Sequence, residues 1–89
     1  MAEQRNERTE DITITFTMDK EREAYIRNII TLVYEALRIK GYDPVSQIVG
    51  YLLTEDPTYI TNYNNARSII RKVDRDELLN IIVSNYISQ

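Results

Sequence analysis

The chain has 89 residues and a net charge of −3, and it contains neither cysteine nor histidine. This excludes disulfides, thiolate chemistry, the usual zinc ligands and the side chain best suited to proton transfer near neutral pH, so most enzyme mechanisms are disfavoured. A chain this short makes one domain and buries a modest share of its surface, so an association surface, by default a homodimer, is expected.

The charge is uneven. Residues 1–23 hold seven acids and four bases, whereas residues 24–89 hold seven of each. The folded part therefore need not repel an anion. Without cysteine, an N-terminal apolar leader or a long apolar span, neither export nor membrane insertion is expected, and a cytoplasmic location is.

Residues 1–11 are polar and charged, and are expected to be disordered because they cannot bury enough surface to offset ordering entropy. In Ile12-Thr13-Ile14-Thr15-Phe16-Thr17-Met18 apolar residues alternate with threonines, the period of a half-buried strand, yet no partner strand is visible in the rest of the chain. The segment reads as an extended arm that docks its apolar side chains or is mobile. Residues 1–18 thus form a flexible tail ahead of a helical domain at 19–89.

A first helix is expected from about Asp19–Glu23 to Lys40, with acids in its first turn, Arg38 and Lys40 in its last, and Gly41 as its stop. Ile26, Ile29, Ile30, Val33 and Leu37 share its core face. A second helix runs from Pro44 to Thr54, capped by Asp43 with Pro44 in the first position. Val45, Ile48, Val49, Leu52 and Leu53, with Tyr51 on a flank, leave little of it polar, which makes it the expected centre of the core. Gly50 in its interior suggests close approach of another backbone, from the first helix or a partner subunit.

Asp56-Pro57 starts a short turn helix to about Thr61, bringing Tyr59 and Ile60 to the core. Asn62-Tyr63-Asn64-Asn65 supplies a cap for a third helix, about Ala66 to Val73. Asp74 caps a fourth, to about Ile87, with Glu77 completing a capping-box-like pair. One face of this last helix is expected to pack on the second helix, and its apolar excess to form a symmetric dimer interface. The tyrosines, Tyr34, Tyr42, Tyr51, Tyr59 and Tyr86 among them, read as core-rim residues. The fold class is all-α: a compact bundle of four main helices plus a short turn helix.

Arg67, Arg71 and Arg75 recur every four residues with Lys72 beside them, a drifting basic stripe that Arg75 leaves if the helix breaks at Asp74. The stripe is either a solvated face paired with Asp74, Asp76 and Glu77, or an anion-recognition surface, since guanidinium forks suit phosphate and carboxylate. The acids at 74, 76 and 77 read as helix-start residues, and no metal or other cofactor is assigned. No Gly-rich phosphate loop, nucleophile elbow or base beside a hydroxyl is visible, so the chain is expected not to be an enzyme.

At Gly41-Tyr42, Pro44, Gln47-Ile48-Val49-Gly50-Tyr51-Leu52-Leu53, Asp56-Pro57, Tyr59-Ile60, Ala66-Arg67, Ile70-Arg71 and Arg75-Asp76-Glu77 the chain resembles the IreB/ReoM family of small regulatory phosphoproteins of Gram-positive bacteria. The resemblance covers about Thr13 to Tyr86. It implies an all-helical homodimer with a flexible N-terminal tail, phosphorylated by a membrane Ser/Thr protein kinase bearing PASTA repeats. It also implies control of peptidoglycan synthesis and cell-wall stress resistance, in some members through Clp-dependent proteolysis of a committed-step enzyme, and hence a regulatory or proteolysis-adaptor partner.

Thr13 matches the family's phosphoacceptor, with Thr15 and Thr17 as neighbours that could compete. Arg67, Arg71 and Arg75 match family arginines. The tail before the threonine is longer here, and Asn62 stands where close relatives often carry Arg. The rival reading is a small DNA-binding module in which the last two helices act as a helix-turn-helix and the arginines contact phosphates. The balanced charge of residues 24–89 and the apolar bulk of the last helix weigh against it, and no nucleic acid partner is expected.

Overall fold

The computed structural model describes residues 19–88. The expectations for residues 1–18, including the disordered run, the alternating segment and the three threonines, lie outside the described residues. Among the described residues every regular element is helical: α1 (Lys20–Ile39), α2 (Pro44–Thr54), α3 (Ala66–Ile70) and α4 (Arg75–Ile87). Single 3-10 turns at Pro57–Tyr59 and Tyr63–Asn65 link α2 to α3.

The helix ends follow local chemistry. Asp19 caps α1, its carboxylate accepting from the Arg22 amide at 2.7 Å. At the other end Gly41 takes φ +87°, the Tyr42 amide donates to the Leu37 carbonyl at 2.9 Å, and the Gly41 amide donates to Arg38 at 3.0 Å. This is a Schellman termination, which a residue with a Cβ would strain. Both Asp-Pro pairs work alike: Asp43 accepts from the Ser46 amide and hydroxyl, and Asp56 from the amide and hydroxyl of Thr58. The two Thr58 bonds hold the Asp56 carboxyl below the usual carboxylate range.

The centre of the core is α1, not α2. Ile26, Ile29, Val33, Ala36 and Leu37 of α1 are buried, and α2, α3 and α4 all pack on that helix. The largest fully buried side chains are Ile26, Val33 and Leu37 from α1 with Ile60, Ile70 and Leu78, each worth about 1.5–3 kcal/mol of burial. From α2 only Tyr51 is buried, while Val45, Val49 and Leu53 are 62%, 46% and 74% exposed. With apolar residues nearly all round, α2 gives no stripe by which to tell its inner face. Only packing on α1 selects Ile48, Tyr51 and Leu52 for the inside.

Three further expectations are corrected. Gly50 makes room for a side chain: a Cβ there would lie under 3.0 Å from three ring carbons of Tyr59. The Tyr59 ring is held over Gly50 while its carbonyl accepts from Gln47 Nε2 at 2.9 Å. Neither Asn65 nor Asp74 makes a side-chain cap bond; Asn64 and Asn65 instead adopt φ 56° and 62°, the left-handed conformation that asparagine tolerates better than most residues. The fourth helix packs on α1 rather than on α2, and Glu77 reaches across to Arg22 instead of completing a two-way capping box.

That ion pair joins the first turns of α1 and α4 through two bonds, at 2.9 and 3.0 Å. The Arg22 bond is the main reason why the Glu77 carboxyl lies below its usual range, against a partial desolvation that acts the other way.

The Gly50–Tyr59 contact is directly testable. Gly50→Ala is expected to cost about 1–3 kcal/mol by forced repacking. In a Tyr59→Ala background the same change should add up to about 1 kcal/mol, because alanine is the better helix former once the ring is gone. Urea denaturation of the four proteins checks this. The same loss with and without the ring would show that the contact is not the reason for the glycine.

Candidate partner-binding surface

The basic residues divide into two kinds. Arg67, in the first turn of α3, is partly buried, and its Nε donates to the Ile60 carbonyl at 2.8 Å. Arg75, the first residue of α4, donates from Nη1 to the Leu52 carbonyl at 3.1 Å and has Nε 3.7 Å from Glu55. Both satisfy carbonyls that no helical amide reaches: Leu52 lies in the last turn of α2, and Ile60 in the irregular connection between two turns.

Arg71 and Lys72 differ. They fall just beyond α3, which ends at Ile70 rather than at Val73 and closes through Lys72-to-Ile69 and Val73-to-Ile70 backbone bonds of 3.1 and 3.2 Å. Both side chains are exposed and make no ion pair among the described residues. The continuous stripe of the sequence is therefore broken: its two ends brace the fold, and its middle faces out. Among the described residues none of the acids at 74, 76 and 77 pairs with Arg71 or Lys72, and Glu77 is engaged by Arg22 on another helix.

Arg71 lies close enough to Tyr51 for its charge to favour the phenolate, although burial dominates and pushes the hydroxyl above its usual value. No local sequence signal marks the two bracing arginines, because the carbonyls that they serve lie seven and twenty-three residues away. The periodicity of four conceals their role.

Such a surface can hold an acidic or phosphorylated group, but the helices do not make a DNA reader. In a helix-turn-helix α4 would be the recognition helix, yet Arg75 is its one basic residue and it is turned onto Leu52. Among the described residues no three carboxylates come together as a metal site, and no helix is long and apolar enough to cross a membrane.

The described residues thus form a small all-helical domain with an exposed cationic corner and open apolar helix faces. The chain belongs to the IreB regulatory phosphoprotein family, whose model matches residues 11–88. It is also similar to a "UPF0297 protein" of Ruminiclostridium cellulolyticum, 51% identical over 75 residues, which is 84% of this chain and 85% of that protein. Membership makes the chain regulatory, accords with a role without catalysis, and gives no support to the DNA-binding reading.

The split among the basic residues is measurable. Arg67→Ala and Arg75→Ala are each expected to cost about 1 kcal/mol, the net value of a partly buried hydrogen bond, whereas Arg71→Ala should stay within about 0.5 kcal/mol as an exposed substitution. Thermal denaturation decides, and equal losses at all three positions would contradict the division.

Proposed function

We propose that this chain is a non-catalytic switch, phosphorylated on Thr13 by a PASTA-type Ser/Thr kinase, that controls peptidoglycan synthesis through a protein partner. Thr15 and Thr17 are the alternative acceptors. The observation that carries the reading is membership of a regulatory phosphoprotein family across a match that includes all three threonines. A phosphate adds roughly −1.5 to −2 charges and three strong acceptors, enough to change which surface an exposed segment favours.

The partner surface is Arg71 and Lys72, with Arg67 and Arg75 framing it from their bracing positions. In this reading the partner is a regulator or proteolysis adaptor, and the outcome is Clp-dependent control of a committed-step enzyme of wall synthesis. The support is the family relationship together with the exposure of the two cations.

The chain acts as a homodimer in this proposal, through the apolar excess of α4. Leu79, Val83 and Ile87 are 40%, 51% and 73% exposed and lie on one side of that helix, a surface that costs free energy in water and is recovered by pairing with itself. Val83→Asp is expected to shift sedimentation from dimer to monomer, and a monomeric parent chain would refute the interface.

In a kinase assay on the full chain, Thr13→Ala is expected to abolish most phosphate incorporation. Undiminished incorporation would remove Thr13 and point to Thr15 or Thr17. Co-purification with phosphorylated and unphosphorylated chain should differ in at least one bound protein, and Arg71→Glu should remove that difference.

A further inference from the structure

An open groove of about 630 Å³ runs between α1 and α4, with Arg27, Ile30 and Thr31 on one wall and Ile82, Asn85 and Tyr86 on the other. Its lining contains no carboxylate. Its one cation, Arg27, donates to Asn85 Oδ1 at 2.6 Å and so ties the two walls together. Tyr86 is 78% exposed, and Ile30 and Ile82 are only half-buried. An apolar floor beside a polar rim is left open to whatever chain can reach it.

We propose that this groove is the docking site of the chain's own segment Ile12–Met18. In extended form the segment places Ile12, Ile14, Phe16 and Met18 on one side and the three threonines on the other. That is a one-faced strip suited to a one-sided groove, and its solvated threonines would stay accessible while it is docked.

Reach agrees with this. The segment enters the fold at Asp19, the cap of α1, so it starts from the helix that forms one wall. From Asp19 to Ile30 is about 16 Å along the helix. Extended chain from Asp19 back to Ile14 covers about 17 Å, and back to Phe16 about 10 Å. Running back along α1, Phe16 reaches at most about the level of Ile26 and Ile14 that of Ile30. The Arg22–Glu77 and Arg27–Asn85 pairs set α4 beside the same stretch of α1, which places Ile82 between them.

Charge points the same way. Residues 1–11, which continue past the groove, carry Glu3, Glu7, Glu10 and Asp11 against Arg5 and Arg8. They meet a lining with one cation and no acid, whereas the exposed α2 stripe of Val45, Val49 and Leu53 lies on a helix without any lysine or arginine. The docking does not depend on which threonine is modified, so it stands or falls separately from the assignment of Thr13.

Phe16 is the chain's one phenylalanine, so its ring protons report on a single place. In NMR spectra of the full unphosphorylated chain, nuclear Overhauser contacts are expected from that ring to the methyls of Ile82, and Ile82→Asp should abolish them and move the ring signals toward those of a free peptide. Contacts to Val45, Val49 or Leu53 instead, or none to any folded residue, would overturn the proposal. So would contacts seen only between chains in a mixture of labelled and unlabelled protein, which would assign the segment to a second copy. If Ile82→Asp unfolds the domain, Asn85→Asp provides the second variant: it keeps the Arg27 contact but adds an acid to the groove, and weaker Phe16 contacts are the expected result.

Discussion

The structure depends on one apolar strip. Ile26, Ile29, Val33, Ala36 and Leu37 run along the middle and C-terminal part of α1, and each other helix finds its place by covering part of it. α3 is five residues long and would not persist alone, because nucleating a helix fixes several residues before a bond repays it. Ala66 and Ile70 hold it in the core, and with Ile60 beneath the preceding turn they carry the irregular connection that leads to it. Remove the strip and the short elements lose the burial that offsets their conformational entropy.

That connection also depends on polar bonds made by side chains from outside it. Between α2 and α4 the backbone takes positive φ at Glu55, Asn64 and Asn65, none of them glycine. Its carbonyls are satisfied one by one from side chains: Leu52 by Arg75, Tyr59 by Gln47 and Ile60 by Arg67. A strained segment stays in place only when its surroundings over-determine it, and these long donors supply that determination. The lysine at position 40 adds to it, lying 5.5 Å from the Tyr63 ring centre. Two arginines that look like a recognition surface in sequence are therefore part of the frame that holds Arg71 and Lys72 outward.

The ends of the helices were the most legible part of the chain, because a cap needs a few residues that are neighbours in sequence. Asp19, Gly41, Asp43-Pro44 and Asp56-Pro57 each act where local chemistry alone would put them. What could not be read is what depends on a distant partner. Nothing near Gly50 announces the Tyr59 ring, and the capping-box spacing of Glu77 does not announce Arg22, fifty-five residues away, which binds the same carboxylate through two donors. Periodicity marks one face of α1 because the other carries Arg27, Thr31, Glu35 and Arg38. It fails on α2, which has no charge between Pro44 and Thr54 to mark a solvent side. The candidate site was half legible for the same reason: residue type and spacing collected four cations, but only the fold shows which of them have carbonyls to serve.

An exposed stripe on α2 and an exposed flank on α4 leave two apolar faces open to water. The two faces differ in what they can discriminate. On α2 the stripe has no charged residue of its own, so it can recognise only shape. The α1–α4 side combines Ile30, Ile82 and Tyr86 with Arg27, and a surface with both an apolar floor and a single cation responds to any change in the charge of what lies on it. If the tail is phosphorylated and docks as proposed above, the added charge would alter its balance between this side and the Arg71–Lys72 corner. In that proposal regulation needs no second folded state, only a charged segment and two places where it can rest.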